Sequence, residues 1–219
     1  MIENTNYQQE TIVTPKNILT KIWVSPKETL TFINSYRYNK NVILFLTLSG
    51  IVKSFDKAIS KNVGDNLSIW TIVFFAIISG IFFGWIINYV YAFSISWTGR
   101  WFNGAGDTQS ILRMIAYSSL PIIVSLFFLC LRILIYGNAI FQSNFFDLYN
   151  GLFDTFIYWT FYFIDLILIL WTVALLVIGT SVVQKISTVK AILNLILPAF
   201  LLVFTALIIF IVFDLLFKA

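Results

Sequence analysis

Asp165 stands in a stretch from Phe161 to Trp171 whose only other polar side chain is Tyr162. In hydrocarbon such a carboxyl must be protonated, paired or wetted by a cavity, because a charge at the bilayer centre costs about 2.5–3.5 kcal/mol on insertion scales. Two kinds of chemistry fit it: proton or ion handling, or a structural hydrogen bond to Ser79, Ser125 or Thr205. Arg132 lies about a turn from the end of its own apolar run, and Asp154 and Asp214 should share its depth. Asp165 lies about eight helical positions deeper, about 12 Å at 1.5 Å per residue, which is long even for Arg. The depth count therefore predicts that Arg132 snorkels to the interface or pairs with Asp154 or Asp214, and that Asp165 has no basic partner.

Other catalytic chemistry is narrowly bounded. The chain has no histidine, and its one cysteine is Cys130. That excludes an internal disulfide, a zinc site built on His or Cys, and Cys–His or Ser–His catalysis. Gly104-Ala105-Gly106-Asp107 matches the Gly-x-Gly-Asp of intramembrane aspartyl proteases, which need a second membrane aspartate close by. Asp107 precedes its helix and Asp165 should be much deeper, so an ordinary glycine turn is the better reading. No enzyme, metal or cofactor is expected. The net charge of +4 is scattered near the ends of apolar runs and forms no stripe, which argues against nucleic acid.

The elements that must position these residues are helices in lipid. Hydrophobic residues make up 59% of the 219, and charged residues 11%, about half the share of a soluble domain. Four runs are long enough to cross a bilayer, near Ile69–Phe93, Ile111–Tyr136, Leu152–Ser181 and Ala191–Phe217. Val42–Val52 is shorter but continues at helical spacing through Phe55, Ala58 and Ile59, so one helix could run from Lys40 to Ile59. Lys16, Lys21, Lys27, Arg37, Lys40, Arg100, Arg113, Lys185 and Lys190 share one side if this segment spans, against Lys53, Lys57, Lys61 and Lys218. Counting charges alone does not separate four spans from five. Val42–Val52 is too apolar for water, which favours five.

Polar and small residues fall on one face of each run. Ala76, Gly80, Gly84, Asn88 and Ala92 recur every fourth residue, and Gly80-x-x-x-Gly84 is a helix-packing spacing. Ser118, Ser125 and Arg132 share a side with Pro121. Asp154, Tyr158, Asp165, Thr172 and Gly179 form a third face, and Asn194, Pro198 and Thr205 a fourth. Each such face should turn from lipid.

Residues Met1 to Thr14 are polar and unlike a secretory signal, so the amino terminus is expected in the cytoplasm. Ser25-Pro26-Lys27-Glu28 has the form of a capping box, followed by Leu30, Ile33 and Tyr36 on one face. A short amphipathic helix results, lying in the headgroup layer or packed on the bundle's end.

Several segments resemble one family. Ile22-Trp23-Val24-Ser25-Pro26-Lys27, Trp101-Phe102-Asn103-Gly104-Ala105-Gly106, Ala116-Tyr117-Ser118-Ser119-Leu120-Pro121, then Trp171, Val177-Ile178-Gly179 and Lys190-Ala191 resemble, in order and spacing, the Yip family of Ypt/Rab-interacting membrane proteins and its bacterial branch. The likeness covers Lys21 to Phe217 and singles out Tyr117 and Pro121. It implies an all-α polytopic protein: a cytoplasmic tail with interfacial helix over 1–40, and a five-helix transmembrane domain over 41–219. Eukaryotic members associate with prenylated Rab GTPases, but their Asp-Leu-Tyr-Gly-Pro region is missing, which argues against a Rab-type partner. Phe-, Ile-, Asn- and Lys-rich usage points to a bacterial plasma membrane. Two functions remain open: a membrane organiser or adaptor working through self-association or other membrane proteins, and a small-solute or ion pathway with Asp165 as its titrating residue.

Overall fold

The computed structural model describes residues 13–217, without the side chains of Ala206, Ile209, Ile211, Val212 and 214–217. The expectations for residues 1–12, for Lys218 and for the side chain of Asp214 lie outside what is described. All regular elements among the described residues are helical. Two short helices, α1 (Ile18–Val24) and α2 (Pro26–Ser35), precede α3 (Val42–Ser60) and α4 (Ile69–Gly99). Then come α5 (Thr108–Ser118), α6 (Leu120–Tyr136), a single turn α7 (Phe145–Leu148), α8 (Leu152–Gln184) and α9 (Thr188–Phe217).

Among the described residues, four segments are long and apolar enough to cross a membrane: Ile69–Phe102, Thr108–Phe141, Leu152–Gln184 and Thr188–Thr205. Their outer faces are apolar and bare, with Phe74, Phe82, Leu134, Phe163 and Phe200 all more than half exposed. Only hydrocarbon tolerates such a surface, and only helices satisfy their own backbone there. The chain is a multi-pass helical membrane protein. At 19 residues, α3 is about 28 Å long but carries Lys53, Asp56 and Lys57. Its first end lies beside α5, where the Tyr117 hydroxyl donates to the Lys40 carbonyl. Its other end leads to Gly64, whose carbonyl accepts from Asn138 Nδ2 at 3.0 Å. It thus runs between the same two ends of the bundle as α5 and α6, here termed the Lys40 end and the Gly64 end.

The seam of small residues on α4 is buried along its length, from Ala76 to Ala92. A Cβ on Gly80 would lie 2.6 Å from Ile51 Cα, and one on Gly50 would lie 2.4 Å from Gly84 Cα. The backbones of α3 and α4 therefore touch, a contact that needs glycine on both sides.

The run Ile111–Tyr136 is two helices and not one. Pro121 has no N–H to give the Tyr117 carbonyl one turn earlier, and its ring crowds that carbonyl, so the helix breaks at Ser119. The break frees the Ile122 N–H, which donates to Thr172 Oγ1 of α8 at 3.1 Å. Thr172 in turn donates to the Leu168 carbonyl at 2.9 Å.

At the Lys40 end, α1 and α2 pack onto the bundle. Ile18, Ile22, Leu30 and Ile33 are buried in one cluster with Met114, Tyr117 and Leu175. Tyr36, expected on the same face, is exposed. Ser25 takes the N-cap position and Pro26 the first turn, but the Ser25 side chain makes no cap hydrogen bond. Ser25 also ends α1, its N–H donating to the Lys21 carbonyl, and this double duty holds its backbone away from capping geometry.

Candidate functional site

Near the Gly64 end, three helices bring charged side chains together. Arg132 of α6 points at Asp165 of α8, with Nη2 2.9 Å from Oδ2, and each side chain is about one-fifth exposed. The guanidinium carbon also lies 6.0 Å from the centroid of the Phe161 ring, one turn before Asp165. Asp56 of α3 lies within electrostatic reach of both partners. One guanidinium is therefore paired with one carboxylate and coupled to a second, in a low-dielectric setting where such interactions are strong.

The depth count that separated Arg132 from Asp165 is wrong. It assumed that the two apolar runs begin level at this end. At 33 residues α8 is about 50 Å long, well beyond the roughly 30 Å hydrocarbon core, so its first turns project past the end of α6. The Tyr158 ring packs tilted against Phe145 and edge-on against Phe146, which follow α6 in the chain. That offset lowers Asp165 to the level of Arg132. Asp154 instead faces the hydroxyl of Tyr136.

Arg132 also lines a cavity of about 200 Å³, together with Tyr136, Tyr158, Phe161, Asn62 and Gln142, among others. Arg132 Nε and Asp165 Oδ1 have no hydrogen-bond partner within the protein. The constellation can exchange a proton or hold an anion at Arg132. No group of three or more His, Cys, Asp or Glu able to bind a metal occurs among the described residues.

Most other polar residues are engaged in packing. Asn88 donates from Nδ2 to the Gly84 carbonyl at 2.7 Å and accepts from Lys53 Nζ at 3.2 Å. Ser79 bonds Ser54 at 2.9 Å, Ser125 bonds its own helix, and neither reaches Asp165. Asn194 accepts from Thr98 Oγ1 at 2.7 Å. Thr205, expected to turn from lipid, is exposed and donates within its own helix, because α9 has left the bundle by that depth. The ring of Tyr117 sits between Tyr38 and Phe45.

Asp107 is the N-cap of α5, accepting from the Ser110 N–H at 3.3 Å, and this hydrogen bonding holds its carboxyl below the usual range. The preceding glycines wrap a side chain that gave no sign in the sequence. Gln184, fully buried at the end of α8, accepts from the Gly106 N–H at 2.9 Å and donates to the Ile95 carbonyl at 3.1 Å. Its backbone carbonyl accepts from Ala105 at 3.0 Å. A Cβ on Gly99 or Gly104 would fall 2.1 or 2.3 Å from the Gln184 amide. The glycine turn is a clasp between α4, α5 and α8. Gly50, Lys53 and Asp56 were also not singled out as site residues, although the placement of a helix over Lys40–Ile59 put all three within it.

Residues 34–210 match the family model of the Yip1 domain. No curated protein and no solved structure matches the chain.

Proposed function

The chain belongs to the Yip1 domain family, and on that premise we propose that it is a non-enzymatic membrane organiser or adaptor, associating with copies of itself or with other membrane proteins. The observation that supports this most is the state of Asp165. Asp165, the acid on which a conduction path through its helix would depend, is closed on Arg132 at 2.9 Å, and Ser79 and Ser125 are hydrogen-bonded elsewhere. An exposed apolar face on α9, with Phe200, Val203, Leu207 and Phe210, supports helix–helix association within the bilayer.

In this reading α3 is the first of five spans, residues 1–40 form a cytoplasmic tail whose helices sit on the bundle, and 41–219 form the membrane domain of a bacterial plasma-membrane protein. The competing reading is a small-solute or ion pathway. The cavity beside Arg132 and the unpartnered Asp165 Oδ1 favour it. Purified protein in liposomes decides between them. Ion and proton leak at background level across a pH series, equal in wild type and Asp165→Asn, is the expected result, together with energy transfer between labelled copies that persists on lipid dilution. A pH-dependent flux abolished by Asp165→Asn would establish the pathway instead.

A further inference from the structure

Lys53 is a cation in the membrane-facing part of the fold that has no acidic partner. The ion pair among the described residues joins Arg132 to Asp165, and Asp56, three residues along α3, is coupled to that pair. Lys53 Nζ carries three donors, and its hydrogen bond goes to the neutral Asn88 Oδ1 at 3.2 Å. The side chain leans toward the middle of the bundle and not toward the nearer Gly64 end, so snorkelling does not account for it.

Two lateral clefts meet at this ammonium. The first, about 410 Å³, lies between α3 and α4, where Gly50 and Gly84 let the backbones touch and leave a furrow; Lys57 and Phe83 wall it. The second, about 340 Å³, lies between α4 and α9 and is walled by Val90, Tyr91, Ala199 and Leu202. Both are lined by Lys53 and Ile87, and neither has an acidic residue in its lining. The pair of clefts is therefore an amphipathic furrow open to lipid, with Lys57 nearest the Gly64 end, Lys53 deeper, and an apolar stretch beyond it.

We propose that this furrow binds one anionic phospholipid from the leaflet on the Gly64 side, with its phosphate between Lys53 and Lys57 and an acyl chain laid along Ile87, Val90 and Leu202. Charge complementarity selects the headgroup. Two lysines without acids favour an anionic lipid over a zwitterionic one of the same chain length, and the apolar second cleft gives the chain a place that bulk lipid does not. The glycine crossing thus has two consequences: it packs α3 on α4 and opens the furrow beside the contact.

Native mass spectrometry of the full chain, with phosphatidylglycerol and phosphatidylcholine of equal chain length, tests this directly. Phosphatidylglycerol should be retained preferentially at one site. Lys53→Gln and Lys57→Gln should each reduce that preference about fivefold, while Lys61→Gln, at the same end but outside the furrow, leaves it unchanged. Ala199→Trp, which fills the apolar cleft without touching a charge, should displace the lipid. Should Lys53→Gln not fold, Lys57→Gln and Ala199→Trp carry the test. Equal retention of both lipids, equal losses in Lys61→Gln and the furrow variants, or displacement of phosphatidylglycerol by oleate at equal concentration would each overturn the proposal.

Discussion

The Arg132 guanidinium and the Asp165 carboxylate bridge α6 and α8 at 2.9 Å, with the Phe161 ring 6.0 Å from the guanidinium carbon. Removing one member strands the other charge in a low-dielectric setting, whereas removing both leaves two apolar surfaces to pack. Arg132→Met or Asp165→Leu alone should destabilise by about 1–3 kcal/mol, below the roughly 3–5 kcal/mol of a fully buried pair because each side chain keeps some exposure. The double variant should regain most of that loss. Thermal unfolding in detergent gives the double-mutant cycle, and additive losses would mean the two groups do not interact.

Gly50 and Gly84 lie where the backbones of α3 and α4 approach closely. A Cβ on either meets backbone, Gly84 Cα at 2.4 Å from Gly50 and the Leu46 carbonyl at 2.9 Å from Gly84, so no side-chain rotation relieves it. Gly50→Leu and Gly84→Leu should each cost about 1–3 kcal/mol through overpacking. Unchanged thermal stability in Gly50→Leu would show that α3 and α4 do not cross here.

Period was legible in the sequence and depth was not. Ala76, Gly80, Gly84, Asn88 and Ala92 could be read as one seam because a four-residue repeat needs no knowledge of the partner helix. Gly50 could not be paired with that seam, since a lone glycine on α3 has no period. Arg132 and Asp165 were set apart by measuring each from the end of its apolar run, and the projecting first turns of α8 made that origin false. The break at Ser119 was hidden because Leu120, Ile122 and Ile123 continue the apolar run through it. Gln184 gave no signal at all: one amide at the end of a hydrophobic helix reads as a boundary residue until the glycine turn closes over it.

That turn depends on the Gln184 amide more than on its volume. Gln184→Leu fills similar space but leaves the Gly106 N–H without its acceptor, and an unsatisfied buried donor costs about 1–3 kcal/mol. The variant should lose stability by that amount and expose the 103–107 turn to protease in proteoliposomes. A protease pattern identical to wild type would show that the turn is held by other contacts.

Asp107 supplies a pH-dependent increment at the start of α5. Hydrogen bonds from Ser110 hold its folded-state carboxyl below the usual range, so its stabilisation is present above the unfolded value near about 4 and is lost as pH falls through the depressed folded value. Asp107→Ala should cost about 0.5–2 kcal/mol near neutral pH, and Asp107→Asn, which also caps, much less. The gap between wild type and the Asn variant should close in acid. A gap constant from neutral pH down to about 3 would place the stabilisation in geometry alone.

The proposed five-span arrangement turns on whether α3 crosses, and it predicts an orientation. Its Lys40 end is tied to Tyr117 and its Gly64 end to Asn138, so its ends coincide with those of the α5–α6 pair, and its length of about 28 Å approaches the hydrocarbon thickness. Lys21, Lys27, Arg37, Lys40, Arg100, Arg113, Lys185 and Lys190 lie toward the Lys40 end in the five-span reading, for which the positive-inside bias predicts a cytoplasmic location. With α3 crossing, Asn62 and Asn144 face outward while Asn103 and Ser187 face inward. If α3 does not cross, Asn103 comes out on the opposite side from the amino-terminal helices. In a Cys130→Ser background, single cysteines at these four exposed or half-exposed positions should react with a membrane-impermeant maleimide in intact cells at 62 and 144 only. Permeabilised cells, in which all four should react, control for accessibility. Outside labelling at Asn103 would overturn the five-span arrangement and, with it, the placement of the amino-terminal helices in the cytoplasm.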